Sequence, residues 1–333
     1  MRRKQVAMGW RDRLPALAFA LKLAITVGLF AYLLRKIEIA PVLMQLAAMS
    51  PAAAVGAEAL LLVQLLLLAL RWQVVNRILD APMQSGQVLR LMAIGNFFNQ
   101  VLPSGFAGDA ARAWLAAREG VRLGPAVRAI VCDRVIGLLV LMVMVSVTLL
   151  ALPNITADKV PGRRSFGLVA LLGVGGLAAL FLVGAPLARL LSRHRLIRSL
   201  GTLTDDLHCA LFRSGSRGAI VVIVAVVVQL LNAAAMYWCA RGLRIDLDFG
   251  AALVIVPAVM LVSMAPISFA GWGVREGAMI VGLGLAGIVA ADALAVSVAF
   301  GLLQLVLGLL GGALWLAHRT ARPPGAAEPG SPD

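Results

Sequence analysis

A helix needs roughly 20 apolar residues to cross a bilayer, and six such stretches follow one another along the chain, near 14–34, 52–71, 129–152, 166–190, 219–240 and 293–317. Two shorter apolar segments, 88–102 and 251–265, each run into a stretch rich in Pro and Gly. The pattern predicts an all-α polytopic membrane protein. Composition agrees: 61% of residues are hydrophobic, 14% are charged and the mean hydropathy is +0.93. A soluble domain carries roughly 45–50% and about 25% respectively. The 333 residues would accommodate two soluble domains by length, but this composition excludes them.

The two Pro/Gly stretches share one pattern. Pro103-Ser104-Gly105-Phe106-Ala107-Gly108 is followed by Arg112, and Pro266-Ile267-Ser268-Phe269-Ala270-Gly271 by Arg275, 163 residues further on. The same offset carries the first span onto the fourth, the second onto the fifth and the third onto the sixth, and it carries 88–102 onto 251–265. Two structural repeats are therefore expected, at 1–152 and 166–318. An external loop at 153–165 joins them. A disordered cytoplasmic tail at 319–333 follows, since ARPPGAAEPGSPD has no apolar period to fold on. Broken helices are tolerated at membrane depth only where protein or a cavity satisfies their backbone groups. Matched Gly/Pro interruptions are the sequence pointer to the substrate site of an inverted-repeat transporter. The expected breaks are Pro103, Gly105 and Gly108 in one half and Pro266, Gly271 and Gly273 in the other.

Charge sets the expected topology. If each short segment is re-entrant, 20 basic residues fall on the amino-terminal side and eight on the other, which places both termini in the cytoplasm. Three full spans per repeat then invert the halves, and their re-entrant segments enter from opposite faces. Residues 277–290 are apolar whereas 114–127 are polar, so eight full spans stands as the alternative. The formal charge of +14 belongs to this loop asymmetry and points to anionic lipid headgroups rather than nucleic acid. Arg2, Arg3 and Lys4 precede an apolar stretch, Leu14 to Leu34, that is too long for a signal-peptide core and reads as a start anchor. Trp72, Trp238, Trp272 and Trp315 fall near span ends, as an interfacial aromatic belt requires.

Signatures of catalysis are missing from the sequence: there is no phosphate-binding G-x-x-x-x-G-K-[ST], no H-E-x-x-H and no G-x-S-x-G. Cys132, Cys209 and Cys239 have no metal-ligand spacing, nor have His194, His208 and His318. No cofactor, no metal and no enzymatic step are expected. Ionisable residues gather instead at the breaks. Asp109 and Arg112 share a helix face at a spacing of three, and Asp109 suits the first turn of a helix, as a cap or as a ligand contact. Asn96 and Asn99 could satisfy loose carbonyls before the break. Arg275 and Glu276 hold the matching place, and as neighbours on a helix they are expected to seek different partners. Asp133 and Arg134, near the cytoplasmic end of the third span, read as a structural salt bridge between helices. Lys22 and Glu58 are lone charges on the first two spans, where an interhelix pair is geometrically possible.

Asn99-Gln100-Val101-Leu102-Pro103-Ser104-Gly105-Phe106-Ala107-Gly108-Asp109-Ala110-Ala111-Arg112, then Asp133-Arg134-Val135-Ile136-Gly137-Leu138, then Pro266 to Glu276, resemble the lysylphosphatidylglycerol synthase transmembrane, or flippase-like, family over roughly residues 10–318. Ala107 stands where the family usually has the first of two glycines before the Asp. In two-domain members a soluble aminoacyltransferase follows the membrane half, and this chain stops after the membrane half. The resemblance therefore implies lipid translocation or handling in an inner membrane, not aminoacyl transfer. The family's lipids are varied, including polyprenyl-linked sugars and hopanoids. On this reading Arg112 and Arg275 contact a headgroup phosphate and Asp109 and Glu276 orient them, with Asn99, Ser104 and Ser268 in the same polar slot. Membrane lipids are the expected partners, together with a possible lipid-modifying enzyme. A lipid-linked transferase and a non-transporting scaffold are the rival readings.

Overall fold

The computed structural model describes residues 39–102, 106–151, 195–264 and 272–320, with a few positions between 23 and 37 and residue 175. Most of the first expected span, the fourth span, the 153–165 loop and the tail beyond 320 lie outside the described residues. So do Lys22, Pro103, Ser104, Gly105, Pro266, Ser268 and Gly271.

Among the described residues all regular structure is helical. The helices are α1 (Ile39–Ala47), α2 (Pro51–Ile78), α3 (Ser85–Val101), α4 (Ala107–Arg118), α5 (Leu123–Ala151), α6 (Arg195–His208), α7 (Ser216–Gly242), α8 (Phe249–Ser263), α9 (Val274–Leu285) and α10 (Ala290–Thr320), with a π-helical turn, Cys209–Arg213, after α6. Helices α2, α5, α7 and α10 have 28, 29, 27 and 31 residues, about 40–47 Å at the α-helical rise. All four are long and apolar enough to cross a membrane, and they coincide with the second, third, fifth and sixth expected spans. Helices α4 and α9 have 12 residues each. That is about 18 Å, well short of a hydrocarbon core of about 30 Å.

Local chemistry sets these boundaries. Pro51 opens α2, where its missing N–H costs nothing. The Gln84 N–H donates to Gln87 Oε1 at 3.0 Å and caps α3. Leu102, φ −100° and ψ 145°, is extended, as a residue before proline must be, and α3 ends there. Gly273 precedes α9 at φ +85°, a left-handed conformation that glycine adopts without a Cβ clash.

The packing is paired throughout. Helix α2 lies against α3, α5 and α10, and α7 lies against α8, α10 and α5. Helices α3 and α4 pack together, as do α8 and α9; α4 rests on α5, and α9 on α10. Helix α3 also packs on α10 while α8 packs on α5, and α1 packs on α10 while α6 packs on α5. Each of these helix contacts in one half has its counterpart in the other, whereas the π-helical turn adds packing on α7 and α2 in the second half. Helices α2 and α7 pack on each other and run antiparallel. The Ser50 N–H at the start of α2 donates to the carbonyl of Gly242 at the end of α7, at 3.0 Å, and Val75 near the end of α2 shares a buried cluster with Val221 near the start of α7. Helix α10 meets α3 through a stripe of small residues, Gly308, Gly311 and Gly312. A Cβ on Gly311 would strike the carbonyl of Ala93, and one on Gly312 would stand 2.9 Å from the Phe97 ring. Membrane helices approach this closely only over small residues.

Candidate functional site

The first hairpin, α3–α4, is closed backbone to backbone. A Cβ on Gly108 would collide with the Gly95 carbonyl, and the Gly108 N–H, one of the unpaired donors at a helix start, donates to Asn99 Oδ1 at 2.9 Å. Asp109 is the third residue of α4. Its Oδ1 takes a hydrogen bond from Arg112 Nη2, one turn on, and its Oδ2 lies 2.6 Å from Arg134 Nε of α5. The Arg112 guanidinium sits 4.8 Å over the Trp72 ring centroid, donates to Met92 Sδ at 3.4 Å and is accommodated by Gly95, whose Cβ would stand 2.8 Å from Arg112 Cγ. Arg112 is 4% exposed and is held on every side. Beside it, Arg71 of α2 grips Asp133 of α5 through Nε–Oδ1 at 2.7 Å, Nη2–Oδ2 at 3.2 Å and the Asp133 carbonyl at 3.3 Å. Charges at membrane depth cost at least about 2.5 kcal/mol each when unpaired, so these pairs are what permits the arginines to lie inside the bundle.

The second hairpin, α8–α9, carries a different cluster at the same place. Glu276 is the third residue of α9, as Asp109 is of α4. Its Oε2 accepts from the Gly273 N–H at 2.5 Å, and its Oε1 accepts from Arg275 Nη2 at 2.6 Å, Arg275 Nε at 3.0 Å and Ser297 Oγ of α10 at 3.3 Å. Arg275 stacks 4.6 Å over the Trp272 centroid above Gly301, where any Cβ would strike the guanidinium. Ser297 lies 163 residues after Arg134, so the same site on the following long helix reaches the acid in both halves. Two outer tethers match as well. Arg128 of α5 meets Asp206 of α6 at 3.1 Å, and Gln45 of α1 donates to Asp292 of α10 at 2.6 Å. Asp206 lies outside the spans, and burial raises its carboxyl above the ordinary range while Arg128 pulls it down.

Several expectations change here. Arg275 and Glu276 pair with each other rather than with different partners, because the long Arg275 side chain at the second helical position folds over the acid that caps the same turn. Arg71, one of the 20 basic residues counted on the amino-terminal side, lies within α2 and is 4% exposed. Trp72 is fully buried beneath Arg112 and belongs to no interfacial belt. Asp133 and Arg134 join separate interhelix pairs, with Arg71 and Asp109. The matched arginines occupy unlike positions: α4 begins one residue after Phe106, whereas α9 begins five after Phe269, so Arg112 is the sixth residue of its helix and Arg275 the second. It is the acids that correspond. Ser297 went unnoticed in the sequence, and Arg71 and Trp72 were read as span-end residues rather than as part of the site; an Arg-Trp pair at the end of an apolar run was the available signal.

A family model described as the lysylphosphatidylglycerol synthase TM region matches residues 19–312. The chain belongs to that family. Comparison with curated proteins returns no match. Every charged cluster described above falls inside the family's matched range. As a member, the chain is a multi-pass membrane protein related to lipid modification or flipping.

Proposed function

We propose that this protein is a flippase-like carrier that moves or presents a polar-headgroup lipid between leaflets, without a catalytic step of its own. The observation that carries the reading is the matched pair of short hairpins, α3–α4 and α8–α9, each fixed by a buried acid at the third position of its second helix. Second arms of about 18 Å suit partial-depth hairpins better than full spans, and discontinuous helices at matched positions are how inverted-repeat transporters build a midplane site. The counterpart packing and the antiparallel α2–α7 pair support two inverted repeats, at 1–152 and 166–318, with both termini in the cytoplasm of an inner membrane and 153–165 outside. The headgroup passes between the polar clusters of the two halves while its acyl chains stay in the bilayer. Membrane lipids are the direct partners, and a lipid-modifying enzyme that makes or consumes the lipid is the natural associate.

The test is leaflet exchange in proteoliposomes. Vesicles containing the purified protein and a fluorescent phospholipid are quenched from outside with an impermeant reductant. Carriage brings the loss of signal beyond the outer-leaflet half. Loss limited to that half, for every lipid headgroup tried, would refute it, and release of product from a lipid-linked donor would favour a transferase.

A further inference from the structure

We propose that a crossing lipid presents a headgroup hydroxyl to Gln100 and Gln304, whose carboxamides meet at the middle of the membrane. The proposal deepens the carriage reading above and rests on it. One face of α10 positions the site. Ser297, Gly301, Gln304, Gly308 and Gly311 follow one another at intervals of four, three, four and three, so they line one side of the helix. The start of α9 covers the early part of that face. There the Ser297 hydroxyl donates to Glu276 Oε1 at 3.3 Å, and a Cβ on Gly301 would stand 2.9 Å from the Trp272 ring. The end of α3 covers the rest. Ala93 lies against Gly311 and Gln100 against Gly308, and Gln100 Nε2 donates to Gln304 Oε1 at 3.3 Å. The contacts of the two hairpins therefore come within three residues of each other on α10, about 5 Å. Gln304 is the fifteenth of the 31 residues of α10, about 21 Å from one end and 24 Å from the other. The end of α3 and the start of α9 both reach α10 at its middle.

Packing does not demand carboxamides at these positions. The 163-residue offset places Leu141 where Gln304 stands and Ser263 where Gln100 stands. Leu141 is 2% exposed, and Ser263 Oγ donates to the carbonyl of Val259 on its own helix at 2.7 Å. The same architecture is built there from an apolar side chain and a hydroxyl satisfied locally.

Polar groups at membrane depth are costly and mark substrate pathways. Both glutamines are half-buried, and their bond is longer than the ordinary N–H···O range of about 2.7–3.2 Å. A hydroxyl both donates and accepts, so it can enter that bond and leave neither carboxamide unpaired. It accepts from Gln100 Nε2 and donates to Gln304 Oε1. A headgroup without a donor satisfies Gln100 and strands Gln304 Oε1. Neither side chain is charged, so the site reads the hydroxyl and not the charge of the headgroup.

The experiment is thermal unfolding of the purified full chain titrated with short-chain phosphatidylglycerol or short-chain phosphatidylmethanol, which carry the same charge and differ in the headgroup hydroxyls. Phosphatidylglycerol should saturate the rise in midpoint at a concentration about fivefold lower, the worth of one net hydrogen bond. Gln304→Leu, which copies the matching position of α5, should bring phosphatidylglycerol to the phosphatidylmethanol value and leave phosphatidylmethanol unchanged. Gln100→Leu is the second variant, with the same expectation. Equal saturation by the two lipids in the native protein overturns the proposal, and that comparison needs no variant to fold. A folded variant that keeps the preference overturns it too, as does one that weakens both lipids alike, the result of a purely structural glutamine. Leaflet exchange separates this outcome from the wider reading. Hydroxyl-selective binding with no exchange of either lipid sinks carriage alone, whereas exchange of both lipids with equal saturation sinks the Gln100–Gln304 assignment alone.

Discussion

Replacing Asp109 by Asn keeps the shape of the side chain and removes the charge that Arg112 and Arg134 share. Arg112 is then left charged, 4% exposed and without an anion. Breaking a buried pair by removing one partner costs about 3–5 kcal/mol, and the Trp72 face beneath the guanidinium offsets roughly 1–2 kcal/mol of that. Arg134 is a third exposed, so its loss adds no more than about 1 kcal/mol. Asp109→Asn should therefore destabilise the protein by about 1–5 kcal/mol. Adding Arg112→Met removes the stranded charge and fills its place with apolar volume, which is often neutral relative to the intact pair. The double variant is expected to be more stable than Asp109→Asn alone, a coupling of about 2 kcal/mol or more. Reversible unfolding in mixed detergent micelles, read by tryptophan fluorescence, measures all four corners of the cycle. If the two losses simply add, the pair does not act as described and Arg112 is not held by Asp109.

Other expectations are independent of that pair. Gly108→Ala should cost about 2–4 kcal/mol, from overpacking against the Gly95 carbonyl and strain on the Asn99 hydrogen bond. Gly86→Ala, with nothing within 4 Å of the new Cβ, should be neutral or gain up to about 1 kcal/mol; the same unfolding assay checks the order. For Asp206, burial raises the folded-state pKa above the ordinary 3.8, so the folded protein binds this proton more tightly than the unfolded chain. Its contribution to stability is present at low pH and lost as pH rises through the folded value. The Tm of the native protein minus that of Asp206→Asn should accordingly increase as the pH falls from neutrality towards 3.8, and a flat difference over that range would contradict the burial argument.

The apolar runs at 52–71, 129–152, 219–240 and 293–317 announced α2, α5, α7 and α10 because a membrane helix needs only length and hydrocarbon. Short segments 88–102 and 251–265 likewise became α3 and α8; the residue before Pro103 is forced out of the helix, whereas Pro257 is carried inside α8. Side-chain partners were less legible. Arg71 terminates an apolar run, and a sequence cannot distinguish an arginine that leaves the membrane from one buried against Asp133 on a helix 62 residues away. Arg275 and Glu276 look divergent on an ideal helix wheel, but capping bends the acid back towards Gly273 and into reach. The shared P-x-x-F-A-G pattern aligned Arg112 with Arg275, whereas the different starts of α4 and α9 align Asp109 with Glu276 instead. Motif register and helix register part company wherever a turn of variable length separates them.

The central claim is that the two hairpins are inverted and enter from opposite faces. Single cysteines at Arg122 and Ala286, both exposed at the turns after α4 and α9, test it most directly once Cys132, Cys209 and Cys239 have been replaced. An impermeant maleimide applied to intact cells should label Ala286→Cys, and it should reach Arg122→Cys only after the membrane is opened. Labelling of both from the same side would contradict the inversion and, with it, the route proposed for the lipid.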